Sequence, residues 1–177
     1  VLLAQGDLLA LPFRGTFDVA LAMECLAEID DDAGAVRSLG AALRPGGRLL
    51  VHVPEATWTP VLPGSPREWR FAVRRGYSAE ELHTLLEEAG LEVVRITATC
   101  HAVVQAAQEL RDRYVRGRGV KMRALALPLM AAAVRLEEAG LRPGRGRALF
   151  AEARRPATPS PPSPQPQSTP SGGSPVE

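Results

Sequence analysis

The chain has 177 residues, 45% of them hydrophobic, enough for one ordinary domain with a sizeable core plus a tail. Its formal net charge is +1, which gives no electrostatic reason to expect nucleic acid, an anionic membrane or an acidic partner. Its two cysteines, Cys25 and Cys100, are too few for a secreted disulfide scaffold and too widely spaced for a metal site, so a cytoplasmic protein is expected.

The first residues carry no basic leader and no long apolar run, and no signal peptide is expected. They also lack an initiator Met, so the chain is expected to begin inside a longer protein. Residues 1–5 are apolar and end at Gly6-Asp7, which predicts a buried strand and a loop. Residues 17–22 predict a second buried strand. Neither run alternates strictly, as in a parallel sheet covered on both faces. Asp30, Asp31 and Asp32 offer N-caps for a helix to about Leu43, with Ala33, Val36, Leu39 and Leu43 as its apolar stripe. Pro45-Gly46-Gly47 is expected to end it, ahead of a third strand over 49–53 closed by Pro54.

A loop rich in Pro and Trp spans 55–75. Ser78 and Glu81 form a capping box for a helix that buries Leu82, Leu85, Leu86 and Ala89 and ends at Gly90. Residues 91–99 predict a fourth strand. Val103, Ala107, Leu110 and Tyr114 mark an amphipathic helix, and a further helix over 120–139 contains Pro128. Its most apolar stretch, 124–134, is too short to span a bilayer. A last strand covers 148–153, and residues 156–177, rich in Pro and Ser, are expected to be a disordered tail. Alternating strands and helices predict an α/β fold.

Four pieces in order carry a resemblance: Gly6-Asp7 before Phe13; Phe17-Asp18-Val19; Arg44-Pro45-Gly46-Gly47 leading into Leu49-Leu50-Val51; and Gly76-Tyr77-Ser78-Ala79-Glu80-Glu81. Together they resemble the class I S-adenosylmethionine-dependent methyltransferases, in the subgroup that alkylates small molecules, lipids and quinones. The resemblance covers residues 1–154. It implies a Rossmann-like sheet in the order 3-2-1-4-5-7-6, S-adenosyl-L-methionine as cofactor, and a small-molecule or lipid-like acceptor. No metal and no invariant catalytic residue are implied.

Carried over by position, the resemblance assigns Asp7 to the adenine amino group and the Leu8 amide to the adenine ring. Met23 and Glu24 fall beside the methionine end of the cofactor. Tyr77, Glu28 and His101 are the candidates for the acceptor side. Many relatives read Glu-x-Leu-x-His-Ile where this chain has Glu24-Cys25-Leu26-Ala27-Glu28-Ile29, so Glu28 stands in place of a His. The first strand and glycine loop of the family are absent, which implies a truncated sheet lacking strands 1 and 2, with strand 4 left as a bare apolar edge. Residues 1–155 are expected to be the carboxyl-terminal part of a methyltransferase domain, with a helical insertion at about 101–141 acting as a lid.

Blander readings stand beside these. Asp7 would also cap the turn that follows it. Glu24 and Glu28, four apart, would face one way on a helical turn as an acid–base pair, or Glu28 would be solvated. His52 lies in a strand and is expected to be packed or hydrogen-bonded, and His83 to be exposed. Arg67, Arg70, Arg74 and Arg75 cluster with Trp58, Trp69, Phe71 and Tyr77, which would suit nucleic acid or an anionic headgroup, but the net charge near zero favours a substrate-side loop whose aromatics pack and whose arginines are solvated. The apolar face near 124–136 would suit either a lid or a membrane surface. Two other function classes remain: a nicotinamide dehydrogenase, though neither Tyr77 nor Tyr114 has a Lys four residues later, and a methyltransferase-like binding module without chemistry.

Overall fold

The computed structural model describes residue 3 and residues 5–65, 73–115, 120–144 and 146–157. Four strands and four α-helices follow in chain order: β1 (Phe17–Met23), α1 (Asp32–Ala42), β2 (Leu43–Pro54), α2 (Ala79–Glu88), β3 (Glu92–Thr99), α3 (Ala102–Val115), α4 (Val120–Glu138) and β4 (Ala148–Arg154). Short 3-10 turns cover Leu8–Ala10 and Leu26–Glu28.

The strands form one sheet in the order β1-β2-β4-β3. β1 and β2 are parallel, and β4 runs antiparallel to both neighbours. This is the 4-5-7-6 end of the sheet that the resemblance implies, and the fold is a Rossmann-like α/β architecture.

Local chemistry explains the helices. The Asp31 carboxylate accepts the Gly34 amide at 2.7 Å and caps α1. At α2 the expected capping box is complete: the Glu81 amide donates to Ser78 Oγ at 3.1 Å, and the Ser78 amide to Glu81 Oε2 at 2.7 Å. The Pro-Gly-Gly segment departs from expectation. It does not separate helix from strand but lies within β2, where the pairing with β1 slips between Phe17 and Val19. A Cβ on Gly47 would lie 2.9 Å from the Arg44 carbonyl oxygen and 3.2 Å from that of Asp18, so this part of β2 favours a residue without a side chain there.

One face of the sheet packs against α1 and α2. Ala22 of β1, Leu49, Val51 and Val53 of β2, and Leu149, Ala151 and Ala153 of β4 are buried with Val36, Leu39, Leu82 and Leu86. The registers place Val19, Leu21 and Met23 on the opposite face, in line with Arg48, Leu50 and His52. There Val19 is 45% exposed, Leu21 64% and Met23 54%. The expectation of a sheet covered on both faces therefore holds for one face only among the described residues. The continuous apolar run of β1 has the composition of a strand buried on both sides.

The expected strand over 1–5 is corrected in its described part. Leu3 is 94% exposed, and neither Leu3 nor Gln5 lies in a strand. Residues 1, 2 and 4 fall outside the described residues. A strand satisfies its backbone groups only beside another strand, and the sheet order puts no described strand beyond β1.

α3 and α4 pack on each other through Val104, Ala107 and Ala133, a small core separate from the main one. Buried Glu109 ties this pair to the loop after β2, accepting the amides of Val61 at 3.0 Å and Leu62 at 2.8 Å. Among the described residues no helix is long and apolar enough to cross a membrane. The proposed tail falls outside the described residues from 158 onward.

Candidate functional site

β1, β2 and β3 end on the same side of the sheet, because β1 and β2 are parallel and β3 and β2 both run antiparallel to β4. Ligands of open α/β sheets bind at such carboxyl ends. Met23, Glu24, His52, Thr99 and Cys100 lie there.

Met23 is the last residue of β1 and sits opposite His52 on the uncovered face. Glu24 then turns the chain with φ at 57° while its amide donates to the His52 carbonyl at 2.9 Å. Cys100, directly after β3, has φ at 55°. Among the described residues these two are the non-glycine residues in the left-handed region, a costly conformation that persists where the surroundings over-determine it.

The His52 ring lies between the two turns. Its Nδ1 is 2.5 Å from Glu24 Oε1, and its Nε2 is 3.0 Å from Thr99 Oγ1. The Thr99 hydroxyl donates in turn to the Ala148 carbonyl at 3.4 Å. Hydrogen bonding with Cys100 and then Glu24 pushes the imidazole up to about 9, against the opposing effect of burial. The Glu24 carboxylate beside Nδ1 favours the protonated ring, in which both nitrogens donate. Burial, above all, pushes the Cys25 thiol up as well.

Glu24 Oε2 has almost no accessible surface and no hydrogen-bond partner among the described residues. A carboxylate oxygen in that state carries a desolvation cost unless a donor reaches it.

The other sequence candidates are placed as follows. Asp7 is exposed, and its Oδ1 accepts the Leu9 amide at 2.9 Å, so it caps the turn that follows. Leu8 is partly buried against the main core. Glu28 is exposed at the end of its 3-10 turn. Glu24 lies outside that turn in a left-handed conformation, so the shared helical turn that would aim both carboxylates together is absent.

Tyr77 is completely buried, and its hydroxyl donates to Asp32 Oδ2 at 2.8 Å. Burial first, and the Asp32 carboxylate second, push the phenol well above its ordinary range. The Arg74 guanidinium lies 3.9 Å from the ring centroid and donates to Asp32 at 3.0 Å. Tyr77 thus joins α1 to α2 in the core and presents nothing to an acceptor. His101 is likewise buried, with Nδ1 2.8 Å from Glu137 Oε1, and joins the start of α3 to the end of α4. His83 is exposed and pairs with Glu87 at 3.3 Å.

Trp58 is buried beneath the Arg147 guanidinium, 4.5 Å from the ring centroid, a structural contact. Arg67, Arg70, Trp69 and Phe71 lie outside the described residues. Among the described residues no group of three or more His, Cys, Asp or Glu is placed to hold a metal ion.

The sequence places Glu24 at the site and reads His52 as a packed or hydrogen-bonded strand residue, which it is, but it gives Thr99 and Cys100 no role. No local signal joins them, because they come from three strands and β4 separates two of those strands.

The chain matches a methyltransferase domain family over residues 5–96. No curated protein sequence matches it. Solved structures similar in fold include a possible histamine N-methyltransferase from Thermotoga maritima, at 17% identity and a TM-score of 0.56 over 88% of this chain and 64% of that one. The 4+2 cyclase SpnF is similar at 24% identity and a TM-score of 0.54 over 88% and 57%. A candidate sarcosine dimethylglycine methyltransferase from Galdieria sulphuraria is similar at 14% and 0.52 over 85% and 58%. The chain spans roughly three fifths of the length of these proteins.

Proposed function

This chain belongs to the methyltransferase domain family, and we propose that, as part of a longer parent protein, it transfers a methyl group from S-adenosyl-L-methionine to a small-molecule or lipid-like acceptor. The family match over residues 5–96 carries the reading. The gathering of Glu24, His52 and Thr99 at the carboxyl ends of the strands supports it.

The cofactor supplies a methyl group already activated on a sulfonium, so the protein has to position the acceptor and exclude water. In this reading the exposed carboxylate of Asp7 accepts the adenine amino group, and the Leu8 amide lies against the adenine ring. Met23 flanks the methionine end. Glu24 lies beside that end. Glu28, exposed one turn further on, is the candidate for the acceptor side. The α3–α4 pair, anchored by Glu109 and His101, would serve as the lid.

The uncovered face of β1 supports the reading of residues 1–155 as part of a domain that continues elsewhere in the parent, with 156–177 as an expendable tail. A strand beside β1, and elements over Val19, Leu21 and Met23, would complete it. The free cysteines Cys25 and Cys100 support a reducing, cytoplasmic setting.

A second reading, a methyltransferase-like binding module without catalysis, draws on Glu28 standing where many relatives have His. Titrating the full-length protein with S-adenosylhomocysteine separates the two. Binding that weakens on Asp7→Asn and Glu24→Gln supports the enzyme; absence of binding moves the binding module to first place.

A further inference from the structure

We propose that α4 is a membrane-surface element, which lays its uncharged length against the acyl chains of an anionic bilayer and brings the basic residues at its two ends onto the lipid phosphates. It lies on the bilayer and does not cross it, since among the described residues no helix is long and apolar enough to span. This surface is independent of the methyl-transfer reading, because it belongs to the α3–α4 pair and not to the strand ends.

Three observations carry it. First, α4 is covered along one narrow stripe. Ala133 is buried against Val104 and Ala107 of α3 with Met130 packed beside it, and Glu137 meets His101. The other described aliphatic side chains are left outside that seam. Leu127, Leu129, Val134 and Leu136 are between 42% and 68% exposed, and Leu141, just beyond the helix, is 50% exposed. Second, no charged residue stands between Arg123 and Arg135, whereas the water-facing side of a helix ordinarily carries charged and polar residues. Third, charge is divided along the chain. Residues 100–147, between β3 and β4, hold ten Lys and Arg against four Asp and Glu, a formal charge of +6. The other residues hold eleven against sixteen, a charge of −5, so the total of +1 conceals the division. Two of the four acids are turned inward, Glu109 onto the Val61 and Leu62 amides and Glu137 onto His101. The cations stand at both ends of the uncharged run, four over residues 116–123 before it and Arg135, Arg142 and Arg145 after it. Arg135 and Arg142 are exposed. A helix with an apolar surface and flanking cations suits the headgroup boundary of an anionic leaflet. A nucleic acid would engage the cations and leave the aliphatic side chains in water.

The test is co-sedimentation of the full-length protein with vesicles of equal parts phosphatidylglycerol and phosphatidylcholine, and with vesicles of phosphatidylcholine alone. Binding should be strong on the mixed vesicles, weak on the neutral ones, and lowered by added salt. Leu127→Ser combined with Leu129→Ser should weaken binding to the mixed vesicles by about tenfold or more, the scale of two leucines withdrawn from the apolar layer. Both side chains are exposed, so the fold does not depend on them. Arg135→Gln is the second variant, about fivefold weaker on the mixed vesicles and unchanged on the neutral ones. Absence of binding to the mixed vesicles, or equal binding by wild type and both variants, would overturn the proposal. So would binding to an RNA or DNA duplex that falls with Arg135→Gln and not with the serine variant, which would make this a nucleic-acid surface. A shift of the lipid-free protein from dimer to monomer in the serine variant, read by gel filtration, would place a second copy of the chain on α4 and overturn it as well.

Discussion

The hydroxyl of Tyr77 donates to Oδ2 of Asp32 at 2.8 Å, joining the residue just before the α2 N-cap to the first residue of α1 across 45 positions of sequence. Arg74 lies against the same ring and the same carboxylate. Tyr77→Phe keeps the ring in the core and removes one donor to a largely buried carboxylate. It should cost about 1–2 kcal/mol, less than full exposure of the acid because Arg74 still donates. Urea denaturation followed by circular dichroism measures it. Unchanged stability would mean that Arg74 alone satisfies Asp32.

The uncovered side of β1 predicts an effect that depends on context. Leu21 is 64% exposed, so Leu21→Ala in the 177-residue chain should change stability by no more than about 0.5 kcal/mol. In the full-length parent the same substitution should cost about 2–3 kcal/mol, if the domain continues over β1 as proposed above and covers the side chain. Denaturation of both proteins, wild type and variant, decides. A small effect in both would leave β1 bare in the parent too.

The hydrogen bonds of His52 to Glu24 and Thr99 predict a loss of stability on the alkaline side. Hydrogen bonding with Cys100 and Glu24 raises the folded-state imidazole to about 9, from 6.5. The folded state therefore holds its proton more tightly than the unfolded state does. The stabilisation is fully present below about pH 6.5 and disappears as pH rises through about 9. The groups facing the ring are Glu24, Cys100 and the neutral Thr99. After allowance for a partly solvated site, the loss should be on the order of 2 kcal/mol. Denaturation at pH 6, 8 and 9.5 should show the fall in wild type and a flatter profile in His52→Gln. Parallel profiles would contradict the assignment.

Glu109 predicts a local effect. Burial works against its charged form, but the Leu62 amide, Gln105, the Val61 amide and Ser65 outweigh that and hold its carboxyl below the usual range. Glu109→Ala leaves the Val61 and Leu62 amides without their acceptor. It should cost about 2–3 kcal/mol and open the segment 55–65 to proteolysis. Limited digestion with peptide mapping reports the site of cleavage; an unchanged digestion pattern would show that the loop is held by other contacts.

Much of the architecture is set by short-range patterns. The apolar run of β1, the caps at Asp31 and Ser78, and the stripe of Leu82 and Leu86 each act over a few residues, and each appears in the structure where the sequence predicts it. The order of the motifs likewise pointed to the family. The carboxylate of Glu24 was legible at the end of its strand because a chain position is enough to place it there. Tertiary structure decided the rest. Tyr77 and His101 were read toward an acceptor, yet both are buried by partners 45 and 36 residues away, a distance no local pattern spans. The hydrogen bonds from the His52 ring to Glu24 and Thr99 reach across β4, and cross-sheet reach is not written in residue type. The composition of β1 asked for burial on two faces, and the helices supply one. Hydrophobic pattern determines which surfaces must be covered, but only the packing of whole elements determines what covers them.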